Sequence, residues 1–168
     1  MQTNELLDFL VAFAAERLAL IERHEAGARV VSHYDFNNTY QYIIAREETH
    51  LSWLGTALVE LDQPLPKAAS TLPVPPLPKL GKKVEPTAFR PVLADDAALL
   101  EAFTQRWRAQ VDALTHARHR TMLNVVLGET REHQRLFEQA AAGMEDVLGR
   151  RTGGVARQGA VLPTRWME

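Results

Sequence analysis

The sequence predicts an all-α protein, a four-helix bundle made of two helical hairpins joined by one long crossover. Three observations predict it. Four stretches carry apolar residues at helical spacing, and no stretch offers turn-bounded alternating segments that would form a sheet. A proline-rich segment separates the second helical stretch from the third. The 168 residues suit a single domain able to bury its own core.

The first helix is expected over residues 3–25, with Leu7, Leu10, Ala14, Leu18 and Ile21 on one face and Gly27 just beyond it. The second is expected over 33–61, started by Ser32 with Asp35 as a variant capping box. The third is expected over 95–114 and carries Leu100, Phe103, Trp107, Val111 and Leu114. The fourth is expected over 116–148, capped by Thr115, with Met122, Val126, Phe137, Met144 and Leu148 along it and Gly149 as its stop. Residues 1–149 then make the bundle, and 150–168 a tail that does not read as helix.

Residues 62–91 hold eight of the nine prolines and cannot be helical throughout. About 30 residues of extended chain, at about 3 Å each, reach along a helix of about 42 Å. The joins within each hairpin are short, so those helices are antiparallel, whereas a long join allows the second and third helices to run parallel. Leu72, Val74, Leu77 and Leu80 favour an ordered strap over a loose linker. The end of the tail, Leu162-Pro-Thr-Arg-Trp166-Met-Glu, reads either as an apolar segment that packs on the bundle or across a homodimer, or as a loosely held terminus.

Composition narrows function. A net charge of -2 argues against a nucleic-acid binder. The absence of cysteine excludes disulfides, Cys-based zinc sites and thiol nucleophiles. The N-terminus has no basic segment ahead of its first apolar residues, so no secretory leader is expected. No apolar run approaches the roughly 20 residues that cross a bilayer. The expectation is a cytoplasmic protein that engages neither nucleic acid nor membrane. Neither a Gly-rich phosphate loop after a strand nor a Gly-x-Ser-x-Gly elbow is present.

The chemistry lies on two helices. At about 100° per residue, Phe36, Ile43, His50, Leu54 and Leu61 share one line of the second helix, and Glu47 falls within about 60° of His50. Glu48 points away and should be solvated. On the fourth helix His119, Met122, Val126, His133, Phe137, Ala140 and Met144 make the apolar line, with Glu129 close to it. A buried carboxylate beside a buried imidazole is costly unless it is paired or bound to a cation. Glu47, His50, Glu129 and His133 are therefore the candidate metal ligands, an oxygen and nitrogen set suited to iron, manganese or zinc. A metal-free alternative has Arg17 entering the core to neutralise Glu47 or Glu129, with the two histidines completing a hydrogen-bonded network. Tyr40 is a candidate outer donor to Glu47. His119 reads as a core or hairpin-end residue, and His24, His33 and His116 as solvated or capping side chains near helix ends.

Glu47-Glu-Thr-His50-Leu-Ser-Trp-Leu54, running on to Leu61-Asp-Gln-Pro64, resembles the second helix of bacterioferritin- and rubrerythrin-like proteins of the ferritin-like superfamily. Leu127-Gly-Glu129-Thr-Arg-Glu132-His133 resembles the matching fourth-helix segment. The resemblance implies a ferritin-like bundle with a metal centre and, at most, oxidoreductase chemistry. It departs from the family in placing Thr130 where a glutamate belongs, and in supplying no core glutamate from the first or third helix. Glu129-x-x-x-His133 with His50 also resembles the triad of DinB and mycothiol-dependent isomerase-like enzymes, which implies one metal ion with an open position. A metal-free bundle acting as an interaction module is the third expectation.

Overall fold

Gly27 does not end the first helix. The structure, a computed structural model describing residues 3–150, carries α1 from Thr3 to Val30, and Val31 N–H still donates to the Gly27 carbonyl. Glycine is needed there for packing. A Cβ at position 27 would lie 2.9–3.1 Å from ring atoms and hydroxyl of Tyr40. Gly27→Ala is therefore expected to lower stability by about 1–3 kcal/mol despite alanine's better helix propensity, read by denaturant unfolding. A neutral or stabilising result would show that the Tyr40 ring has room to move.

The other helices are α2 (Tyr34–Val59), α3 (Arg90–Asp112) and α4 (Ala117–Ala141), with a 3₁₀ turn over Pro86–Phe89 leading into α3. Among the described residues there is no strand, and these residues form an all-helical four-helix bundle. Several boundaries differ from expectation for local reasons. Neither Ser32 nor Thr115 caps its helix. His33 and His116 do, each accepting through Nδ1 the backbone N–H three residues on, at 3.4 Å. Proline is tolerated in the first helical turn, so α3 begins at Arg90 with Pro91 inside it, not at Asp95. The helix α4 stops at Ala141 because Gly143, at φ 106°, turns the chain so that Met144 N–H reaches the Gln139 carbonyl. Met144 and Leu148 thus lie beyond the helix, and Gly149 is not its stop. Val59 ends α2 two residues early, and Asp62, at φ 56°, takes the left-handed position after it.

The core runs the length of the bundle through Leu10, Phe13, Phe36, Ile43, Leu54, Leu58, Leu93, Leu100, Leu123, Val126 and Phe137, all buried. The buried face of α1 keeps the expected Leu10, Ala14 and Ile21 and extends to residues beside them. Leu6, Phe9, Phe13 and Leu20 are inside, while Leu7 and Leu18 are half-buried. Phe13 meets Phe103 at 5.0 Å and Phe9 meets Trp107 edge-on at 5.3 Å between ring centroids, so aromatic packing against α3 holds these two added residues inside.

The segment between α2 and α3 has no regular structure until Pro86 but is tied to the helices. Ala69 N–H donates to the Ala15 carbonyl at 2.9 Å, and Leu72, Val74, Leu77 and Val84 pack on the core. Leu80 is exposed instead. At one end of the bundle Leu6, Leu61, Leu114 and His119 meet around a cavity. At the other, Phe36, Arg90 and Ala140 meet around a second one. No helix among the described residues is long and apolar enough to cross a membrane. The apolar tail residues fall at 151–168, outside the described residues.

Candidate functional site

Helical spacing along α1 places Arg17, Ile21 and His24 on one inward line, because steps of four and three residues return to the same face. Arg17 is fully buried, and its guanidinium donates through Nη1 to Glu47 Oε1 at 3.0 Å and through Nη2 to the Thr130 hydroxyl. The same guanidinium lies 4.5 Å from the centre of the Phe103 ring. The cation thus sits between α2, α3 and α4, held by a carboxylate, a hydroxyl and a π face.

Glu47 is engaged at both oxygens. Its Oε2 faces His24 Nδ1 at 2.8 Å. Burial alone would raise the Glu47 pKa, but His24 and Arg17 outweigh it and hold the carboxyl below its ordinary value. His24 reaches on to a second carboxylate, with Nε2 3.6 Å from Asp96 Oδ1. Burial lowers the His24 pKa, and the two carboxylates more than offset it, so the net direction is upward. Asp96 also receives the Tyr40 hydroxyl hydrogen bond and lies 3.3 Å from Arg23 Nη1. Arg23 Nη2 bonds Asp95 Oδ2 at 2.9 Å. With His24 protonated, Arg17, Arg23 and His24 face Glu47, Asp95 and Asp96, three cations to three carboxylates. Buried charges persist when they are paired in this way. Tyr40 is locked in place by Asp96 and by Phe137, 4.9 Å from its ring. Tyr40→Phe leaves Asp96 without its hydroxyl donor, so a loss of about 1–3 kcal/mol is expected in chemical denaturation. No measurable loss would mean that Arg23 and His24 suffice for Asp96.

The remaining candidates form a second, shallower cluster. Glu129 is partly exposed and is clamped by Arg46, with Nε and Nη2 at 3.0 and 2.7 Å. The hydrogen bond from Arg46 is the first reason that the Glu129 pKa is lowered, with His50 acting in the same direction. His50 Nε2 meets Glu129 Oε2 at 2.7 Å. The His133 ring lies 6.1 Å from that of His50, inclined by 19°, and Tyr42 approaches its edge. Burial, with Arg17 and His50 adding to it, pushes His133 down to about 4, so it is neutral at pH 7. Nδ1 of both His50 and His133 is buried without a hydrogen-bond partner. Tyr42, Arg46, Glu129, Glu132, His133 and Leu136 line an open cleft of about 660 Å³ beside this cluster.

The four expected ligands are therefore divided. Glu47 belongs to the inner network, whereas His50, Glu129 and His133 belong to the outer cluster. Arg17 acts electrostatically on all four. Among the described residues, no group of three or more His, Asp or Glu side chains is placed to share a metal ion. A core cation would have to displace the Arg17 guanidinium from Glu47, so these residues do not fit a core metal with Arg17 in place. Glu16, an acid on α1 next to Arg17, faces out to Arg106 and the Trp107 indole N–H.

Arg23, His24, Asp96 and Thr130 belong to the network without having been picked out as functional from sequence. Two signals point to them in retrospect. Carrying α1 through Gly27 puts His24 inside the helix, and starting α3 at Arg90 puts Asp96 on the line of Leu93, Leu100 and Phe103. Thr130, expected merely to stand where a glutamate belongs, accepts from Arg17 and donates to the Val126 carbonyl at 2.7 Å. No known protein family and no characterised protein matches this chain in sequence.

Proposed function

We propose that this protein is a ferritin-like bundle that works without a core metal and serves as a binding module through the cleft beside His133. The observation that carries this reading is the Arg17 guanidinium, which bonds Glu47, one of the expected ligands, together with Thr130. The ferritin-like connectivity is supported by the residues gathered at each end. The start of α1 and the ends of α2 and α3 meet at one end, and the starts of α2 and α3 meet the end of α4 at the other. That arrangement supports a parallel α2 and α3, with residues 60–85 as the connecting strap.

A second reading rests on the outer cluster. His50, Glu129 and His133 would hold one divalent ion if Arg46 released Glu129, as a mononuclear site of the DinB type. The unpartnered Nδ1 atoms of both histidines favour it.

Elemental analysis after anaerobic loading with Fe(II), Mn(II) or Zn(II) separates these readings. The expected result is no stoichiometric metal and no change of melting temperature with chelator. Two ions per chain, lost in Glu47→Ala, would restore a ferritin-like metal centre. One ion, lost in His133→Ala and retained in Glu47→Ala, would establish the mononuclear site.

A further inference from the structure

The bundle end away from the charge network holds a separate cavity of about 490 Å³, lined by Leu6, Leu61, Leu114, His116, Arg118 and His119, with Glu60 at its edge. His119 is 95% buried, at 5% relative exposure, and neither of its ring nitrogens has a hydrogen-bond partner. An imidazole enclosed in this way forgoes hydrogen bonds on both sides, and an acceptor in the cavity would satisfy its ring N–H.

The cavity is rich in donors. His116 Nδ1 accepts the His119 backbone N–H at 3.4 Å, which leaves the His116 ring proton on Nε2 as a donor. The N–H groups of Ala117 and Arg118 stand in the first turn of α4, where the helix supplies no acceptor. Arg118 adds its guanidinium. Several carbonyls at this end are taken: those of Thr56, Leu58 and Val59 by residues 60–63, those of Ala109 and Val111 by Ala113 and Leu114, and that of Leu114 by Arg120. The one carboxylate, Glu60, is bonded to Arg118 Nη2 at 2.7 Å, which offsets its charge. A donor-rich end at a helix N-terminus selects an anion. The leucines set opposite select an apolar body attached to it.

We propose that this cavity binds a small amphipathic monocarboxylate, with the carboxylate on His116, His119 and the α4 N-terminus and the hydrocarbon against Leu6, Leu61 and Leu114. This site is independent of the cleft at His133.

Isothermal titration of the full chain with sodium octanoate tests it, with octanol, inorganic phosphate and Zn(II) titrated in parallel. One octanoate per chain is expected, bound at least ten-fold more weakly by His119→Phe and with unchanged affinity by His133→Ala. His119→Phe should also melt higher than the parent without ligand, because it removes two unpartnered buried nitrogens; this shows that the weakened binding is not loss of fold. No octanoate binding, or equal binding by His119→Phe, would overturn the proposal. Octanol binding as tightly as octanoate would overturn the anion assignment. Phosphate or Zn(II) binding in preference to octanoate would replace it with a simple ion site.

Discussion

Arg17→Met should be among the most destabilising single substitutions in this protein, at a cost of about 3–5 kcal/mol. Methionine fills much of the same space and keeps contact with Phe103, so the loss isolates the charge. Removing the guanidinium leaves the buried Glu47 carboxylate with His24 alone and Thr130 without its donor. At the size of this chain the loss corresponds to a drop of about 10 °C in melting temperature. Glu47→Gln in the same background should recover a large part of it, because a neutral amide needs no buried cation. The double-mutant cycle therefore gives a coupling of about 2 kcal/mol or more between positions 17 and 47. If Arg17→Met unfolds within about 1 kcal/mol of the parent, Arg17 is not the counter-ion of the core, and the metal-free reading loses its main support.

The second large effect is on acid stability. His133 is pushed down to about 4 from 6.5 by burial. The unfolded chain therefore binds a proton at a higher pH than the folded chain does. As pH falls from 6.5 towards 4 that proton favours unfolding, and below about 4 the penalty stops growing. The gap corresponds to about 3 kcal/mol. His50 and His119, also lowered, act in the same sense. His24, raised, has the opposite sign: its contribution is present in full below 6.5 and fades as pH rises through its folded value. Glu47, lowered, contributes above its ordinary value of 4.5 and loses that contribution as pH falls further. Stability should thus decline from pH 6.5 to pH 4, and His133→Phe should flatten that decline by about 2–3 kcal/mol in urea titrations taken across the range. An unchanged slope in His133→Phe would mean that His133 is protonated as readily in the folded protein as in the unfolded one.

Much of the fold was legible in the chain. Helical periodicity located four helices, and it placed Glu47, His50 and His133 inside the bundle with Glu48 outside, as the structure has them. It also set Arg17 rather than Glu16 on the inward side of α1. Boundaries were less legible. Gly27 resembles a stop but is a notch for the Tyr40 ring, and the true stop of α4 is Gly143.

Pairing was the least legible part. Periodicity states which way a side chain leaves its own helix axis and says nothing of the side chain it meets. Glu47, His50, Glu129 and His133 read alike as inward polar residues. The structure turns Glu47 to Arg17 and His24, and Glu129 to Arg46 and His50. His24 and Asp96 come from positions 72 apart and meet only because α1 and α3 pack with their polar turns at one depth. The sequence by itself determined the number of helices, their inward faces and the presence of uncompensated charge within them. The tertiary structure alone decided that an arginine would supply the compensation, because the partner of a buried charge depends on helix register and rotation, which the packing of Phe9, Phe13, Phe103 and Trp107 sets.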